Sequence, residues 1–170
     1  MNKKKLSLRS SAERGNNKVI FVERNLLMNF EGEVCYRSID YQLNDKHLEN
    51  LLASQYTDLD IIIIHHAKEL ALAHQTFDQL NEIDASLKES ISKKYPKLLD
   101  QLNCIHHHDA NGNEALCVSC SCHPSKGGLF LDASVKYSLS LSQCYYLYEK
   151  EEFAEVAKRY GISTLKIENI

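Results

Sequence analysis

The chain has 170 residues, 44% of them hydrophobic and 25% charged, with 6 Gly and 2 Pro. That is enough for one domain whose core needs no disulfides, and it excludes a collagenous or low-complexity chain. The formal charge of −3 gives no electrostatic reason to expect nucleic acid as a partner. The strongest apolar run, Leu59–Ile64, is broken by Asp60 and far too short to span a bilayer.

Residues 1–17 carry Lys3, Lys4, Lys5, Arg9 and Arg14 with little apolar content, which predicts a flexible basic tail ahead of a domain covering 18–170. No apolar segment of a secretory signal follows the lysines, so a cytoplasmic location is expected. Lys18–Val22 is a short β-rich run and predicts a buried strand. Val34–Tyr36 offers an arm of a hairpin. Asn44 or Asp45 is placed to cap a helix through Leu48, Leu51 and Leu52 to about Ser54. Leu59–Ile64 predicts the clearest strand, apolar on both faces as in a parallel sheet covered by helices.

Between Gln75 and Lys94, the positions Phe77, Leu80, Ile83, Leu87 and Ile91 step by three and four and define one helix face. Leu102–Ile105 suggests a third strand, Leu129–Tyr137 a helix and Cys144–Tyr148 a fourth strand. Glu151–Tyr160 suggests a helix stopped by Gly161, and Thr164–Ile167 a last strand. Strands alternating with helices give an α/β fold: a three-layer, Rossmann-like domain around a central parallel sheet.

Six Cys and eight His are unevenly spread. Cys104, Cys117, Cys120 and Cys122 fall within nineteen residues, among His106, His107, His108 and His123. With reduced thiols, such density points to a metal site. Cys104-x-His106 and Cys120-x-Cys122 are two ligand pairs, and thirteen residues between His106 and Cys120 suffice to return the chain. Four such ligands close a tetrahedral zinc shell, so the ion would be structural and would pin a loop with no core of its own. Cys117, His107 or His108 are near enough to replace one of the four. Cys35 and Cys144 stand in apolar surroundings as buried thiols.

The order of strand, loop, strand, Cys-x-His, loop, Cys-x-Cys and the Lys126–Leu129 turn resembles the zinc-containing branch of the haloacid dehalogenase (HAD) superfamily. Its members include heptose bisphosphate and histidinol-phosphate phosphatases. The resemblance covers Lys18 to about Ile167. It implies a HAD-like domain with a zinc-binding loop and a magnesium-assisted phosphatase site at the C-terminal ends of the strands. By the same resemblance, Glu23 holds the place of the nucleophilic Asp and Asn25 that of the general acid and base. His65 holds the place of a phosphate-binding Thr, Lys126 that of the phosphate-binding Lys, and Glu149 that of a magnesium acid. Leu26, Leu27, Tyr148 and Phe153 replace smaller or acidic residues of the family and would fill its pocket.

These departures bear on chemistry. Glu is one methylene longer than Asp, which moves the carboxylate by roughly 1–1.5 Å and can cost on the order of 100-fold in rate. The Asn25 amide can neither give nor take the proton of general acid–base catalysis, a loss of about 10²–10⁴-fold. The sequence therefore implies a pseudo-phosphatase with structural zinc, magnesium as an option at Glu23 and Glu149, and a binding or regulatory role toward a phosphorylated sugar or related metabolite. Neither nucleic acid nor membrane is expected as a partner. The alternative is an active magnesium-dependent sugar-phosphate or histidinol-phosphate phosphatase, with His65 or His66 moving the proton.

Overall fold

The computed structural model describes residues 18–108, 111–149 and 151–169; the basic tail expected at 1–17 lies outside them. In chain order the elements are β1 (Val19–Glu23), β2 (Met28–Phe30), β3 (Tyr41–Leu43), α1 (Asp45–Ala53), β4 (Asp60–His66), α2 (Lys68–Ala71), α3 (Phe77–Lys94), β5 (Leu98–Cys104), α4 (Gly128–Tyr137), β6 (Tyr145–Tyr148), α5 (Ala154–Arg159) and β7 (Ser163–Lys166). Five strands of the described residues form one sheet in the order β5-β4-β1-β6-β7, and every pairing in it is parallel. β2 and β3 make a separate antiparallel pair, set on the loop that leaves β1.

Apolar strands explain the layering. Val19–Val22 and Ile61–Ile63 are all buried, with alternate side chains on opposite faces. Ile20, Val22, Ile61 and Ile63 pack against Leu48 and Leu51 of α1 and Ile83, Leu87 and Ile91 of α3. Val19, Phe21, Ile62 and Tyr146 pack against Phe130 and Ala133 of α4 and Ala154 and Ala157 of α5. Helices on both sides of a parallel sheet remove both faces of the central strands β1 and β4 from water, as this architecture requires.

The helix boundaries have local causes. The Asn44 side chain accepts from His47 N and caps α1. At α3, Thr76 Oγ1 accepts from Gln79 N while Gln79 Oε1 accepts from Thr76 N, a reciprocal capping box. Gly161 has φ +77 and ends the α5 segment in the left-handed region.

Four expectations need correction. Val34–Tyr36 is irregular, and the hairpin arms are Met28–Phe30 and Tyr41–Leu43. β5 begins at Leu98, not Leu102. It is an edge strand, so Asp100, Gln101 and Asn103 are tolerated there, and those polar residues mask the strand in the sequence. Phe77 has helical spacing but is 48% exposed, because it starts α3 beyond the sheet. Residues 151–153 form a 3-10 turn before α5, not one continuous helix.

Candidate active-site cavity and metal-ligand cluster

β1, β4 and β6 run in the same direction, so the residues that follow them gather at one edge of the sheet. A cavity of about 340 Å³ opens there. It is lined by Glu23, Asn25, His65, His66, Glu149 and Phe153, together with Lys68, Tyr146, His123 and Gly127. Carboxyl ends of parallel strands are where open α/β sheets bind ligands. Of the expected residues, Glu23, Asn25, His65 and Glu149 thus share one cavity wall.

Glu23 ends β1, and its Oε1 accepts a hydrogen bond from the Tyr146 hydroxyl of the neighbouring β6. Arg24, the next residue, is 5% exposed. Its Nη1 reaches Asp84 Oδ1 of α3 at 3.1 Å, and Asp84 Oδ2 accepts from Asn103 Nδ2 of β5 at 2.5 Å. Burial lowers the Arg24 pKa from its ordinary value, opposed by Asp84. This chain of contacts fixes the turn that presents Glu23 and Asn25. Burial, with Arg24 and His66 beside it, holds His65 well below the ordinary imidazole range. That shift favours the neutral imidazole.

Lys126 does not take the expected place. It is exposed, its Nζ donates to Ser119 Oγ at 2.7 Å, and it is not part of the cavity wall. The lysine on that wall is Lys68, the first residue of α2 immediately beyond β4. Leu26 and Leu27 are buried under α1 in the main core, and the tyrosine lining the cavity is Tyr146, not Tyr148. Phe153 does line it, as expected. Lys68 carried no sequence signal beyond standing just past the end of a strand, and Tyr146 none beyond lying within one.

Beside the cavity lies the Cys/His cluster. Cys104, His106, Cys120 and Cys122 bring their ligand atoms within 4.8 Å of one another. Cys104 Sγ lies 3.7 Å from Cys120 Sγ and 3.2 Å from Cys122 Sγ, and His106 Nδ1 is 3.3 Å from Cys122 Sγ. A zinc tetrahedron with bonds of about 2.3 Å to sulfur has edges of about 3.8 Å, shorter where nitrogen replaces sulfur. The donor set and spacing therefore fit zinc, and all six cysteines are free thiols. Of the alternative ligands, Cys117 Sγ donates instead to Ala71 O, in a small core with Leu70 and Leu80. His107 and His108 turn toward the His66 and His123 rings. Cys35 and Cys144 are buried. The loop geometry depends on Gly128, where an added Cβ would overlap the Ser121 carbonyl oxygen.

No family model matches the chain. The D-glycero-alpha-D-manno-heptose-1,7-bisphosphate 7-phosphatase of Photorhabdus laumondii is 23% identical over 145 residues, covering 85% of this chain and 79% of that protein. A protein of Mesorhizobium loti solved as a HAD-like phosphatase superposes with a TM-score of 0.74 at 14% identity, over 86% of this chain and 70% of its own. The D,D-heptose 1,7-bisphosphate phosphatase of B. bronchiseptica, solved with magnesium and phosphate, gives 0.68 at 14% identity, over 86% and 78%. The fold is therefore that of the HAD-like phosphatases, an α/β Rossmann-like sheet flanked by helices. Within that class the similarities point to the heptose-1,7-bisphosphate phosphatases, and the Cys/His cluster is consistent with the zinc-containing branch. No helix among the described residues is long and apolar enough to cross a membrane.

Proposed function

We propose that this protein is a pseudo-phosphatase: a HAD-like scaffold that binds a phosphorylated sugar or related metabolite in its cavity without efficient turnover. The observation that carries this reading is the pair Glu23 and Asn25 on one cavity wall. Asn25 stands where the reaction needs a group that gives a proton to the leaving alkoxide and takes one from water, and an amide does neither. Glu23 has the charge of a nucleophile, but with a longer arm and with Tyr146 hydrogen-bonded to it.

What remains suits binding. Lys68 supplies positive charge for phosphate, Asn25 an amide donor, and neutral His65 one further donor. Glu23 and Glu149 are the residues that would hold magnesium, which binds through one or two carboxylates plus substrate phosphate and water. When bound, the ion would neutralise phosphate charge. Zinc belongs at Cys104, His106, Cys120 and Cys122, where it would pin the loop that brings His123 to the cavity.

The test is phosphate release with magnesium from heptose 1,7-bisphosphate, histidinol phosphate and a sugar-phosphate panel, beside a Glu23→Ala control. Expected are turnover no higher than in the control and a thermal shift with at least one of the phosphorylated compounds. Robust turnover abolished by Glu23→Ala would refute the reading and select the active phosphatase, with His65 or His66 moving the proton.

A further inference from the structure

A second group of side chains lies between the four-ligand cluster and the cavity. His66 ends β4, His107 follows β5, and His123 follows Cys122. Each offers one ring nitrogen, and these nitrogens lie within 4.8 Å of one another. All three residues are half-buried. The rings do not stack: His66 and His123 meet at 75° with centroids 4.6 Å apart, and His66 and His107 at 75° and 5.9 Å.

The surrounding contacts orient the rings. His66 Nε2 is 2.9 Å from the carbonyl oxygen of His106. A carbonyl only accepts, so Nε2 carries the proton and the lone pair of the neutral ring is on Nδ1. A histidine that donates its other N–H to a backbone carbonyl has the arrangement typical of a metal ligand. His123 Nδ1 accepts from Ser125 N–H at 3.2 Å and lies 2.7 Å from Ser125 Oγ, contacts that fix the ring's orientation beside the cluster. His107 is held by its backbone N–H, which donates to Leu116 O at 3.1 Å. His107 and His123 each follow a residue of the four-ligand cluster directly, so an ion there would fix both backbones.

We propose that His66, His107 and His123 form a second metal site, for a divalent late first-row transition ion of the zinc type, with an open coordination position facing the cavity. Imidazole donors suit zinc, cobalt, nickel or copper, whereas magnesium requires oxygen. Zinc–nitrogen bonds of about 2.0–2.1 Å would draw the three nitrogens to about 3.3 Å from one another, a closure within reach of side-chain rotations. Three protein ligands leave the fourth position to water or an anion, unlike the closed neighbouring cluster. His66 and His123 both line the cavity, so a phosphoryl oxygen is the chemistry that position would take. This assignment is independent of whether the cavity turns over any substrate.

Cobalt titration of the full, metal-stripped chain separates the two sites. Cobalt at the cysteine cluster gives a thiolate charge-transfer band, and cobalt on three histidines gives d–d absorption without one. Two equivalents are expected, one of each kind, and inorganic phosphate should shift only the d–d spectrum lacking charge transfer. His66→Gln and His123→Gln should each abolish that second equivalent and keep the thiolate band, which also reports that the loop has folded. Because the two histidines lie on different segments, failure of one variant to fold leaves the other decisive. A single equivalent in the parent chain, or a second one that survives both substitutions, would overturn the proposal. Loss of the thiolate band alone would count against the cysteine site and not against this one.

Discussion

Replacing Asp84 by leucine should expose how the turn carrying Glu23 and Asn25 is held. The side chains of Arg24 and Asp84 are 6% and 17% exposed, and their charged atoms are 3.1 Å apart. Arg24 Nε has no hydrogen-bond partner among the described residues, so Asp84 is the main compensation for this guanidinium. Removing one partner of a buried pair costs about 3–5 kcal/mol, because the remaining charge is stranded. The lost hydrogen bond from Asn103 acts in the same direction. For a chain of this size each kcal/mol lowers Tm by about 2–4 °C, which gives a fall of roughly 6–20 °C for Asp84→Leu. The double variant Arg24→Met with Asp84→Leu replaces both charges by apolar groups and should recover most of the loss. Thermal melts by circular dichroism, with urea titrations for the free energies, complete the cycle. A loss below about 1 kcal/mol in Asp84→Leu, or a double variant as unstable as the sum of the singles, would refute the argument that a stranded charge sets the cost.

Gly128→Ala should weaken zinc retention while leaving the sheet folded, because the added methyl collides with the Ser121 carbonyl next to Cys122; metal content of the purified variant against the parent checks this. Chelation of the parent should raise amide exchange first in residues 111–123 and leave β1 and β4 protected, since metal binding and loop order are coupled; uniform exchange would exclude a local role for the ion. Tyr95, buried, with its hydroxyl donating to Leu59 O at 2.9 Å, has its pKa raised by burial to about 12. The folded state holds that proton more tightly than the unfolded chain, so the contribution is complete below about pH 10 and is lost between about pH 10 and 12. Tyr95→Phe should flatten the alkaline limb of the stability curve in that window, and an unchanged limb would contradict the assignment.

What the sequence determined by itself was set by short-range periodicity and by ligand chemistry. Ile61–Ile64 has no polar face to offer water, so it had to lie between two helical layers. Leu80, Ile83, Leu87 and Ile91 could bury themselves only along one side of a helix, and all four are buried. Cys104, His106, Cys120 and Cys122 drew attention because thiols and imidazoles at that spacing are rare without an ion to hold. Tertiary structure decided which polar side chains face the cavity. Lys126 and Lys68 are both exposed lysines near turns, and only the crossover from β4 into α2 brings Lys68 to the cavity wall. The arms Met28–Phe30 and Tyr41–Leu43 are three residues each, too short to show a period, and they are defined by pairing with one another. β5 tolerates polar residues because it lies at an edge, a position fixed by the order in which parallel strands pair. The meeting of His66 with His107 and His123 depends on β4 and the Cys/His loop, about forty residues further along the chain, reaching the same end of the sheet. Such convergence is a property of topology, and no local pattern records it.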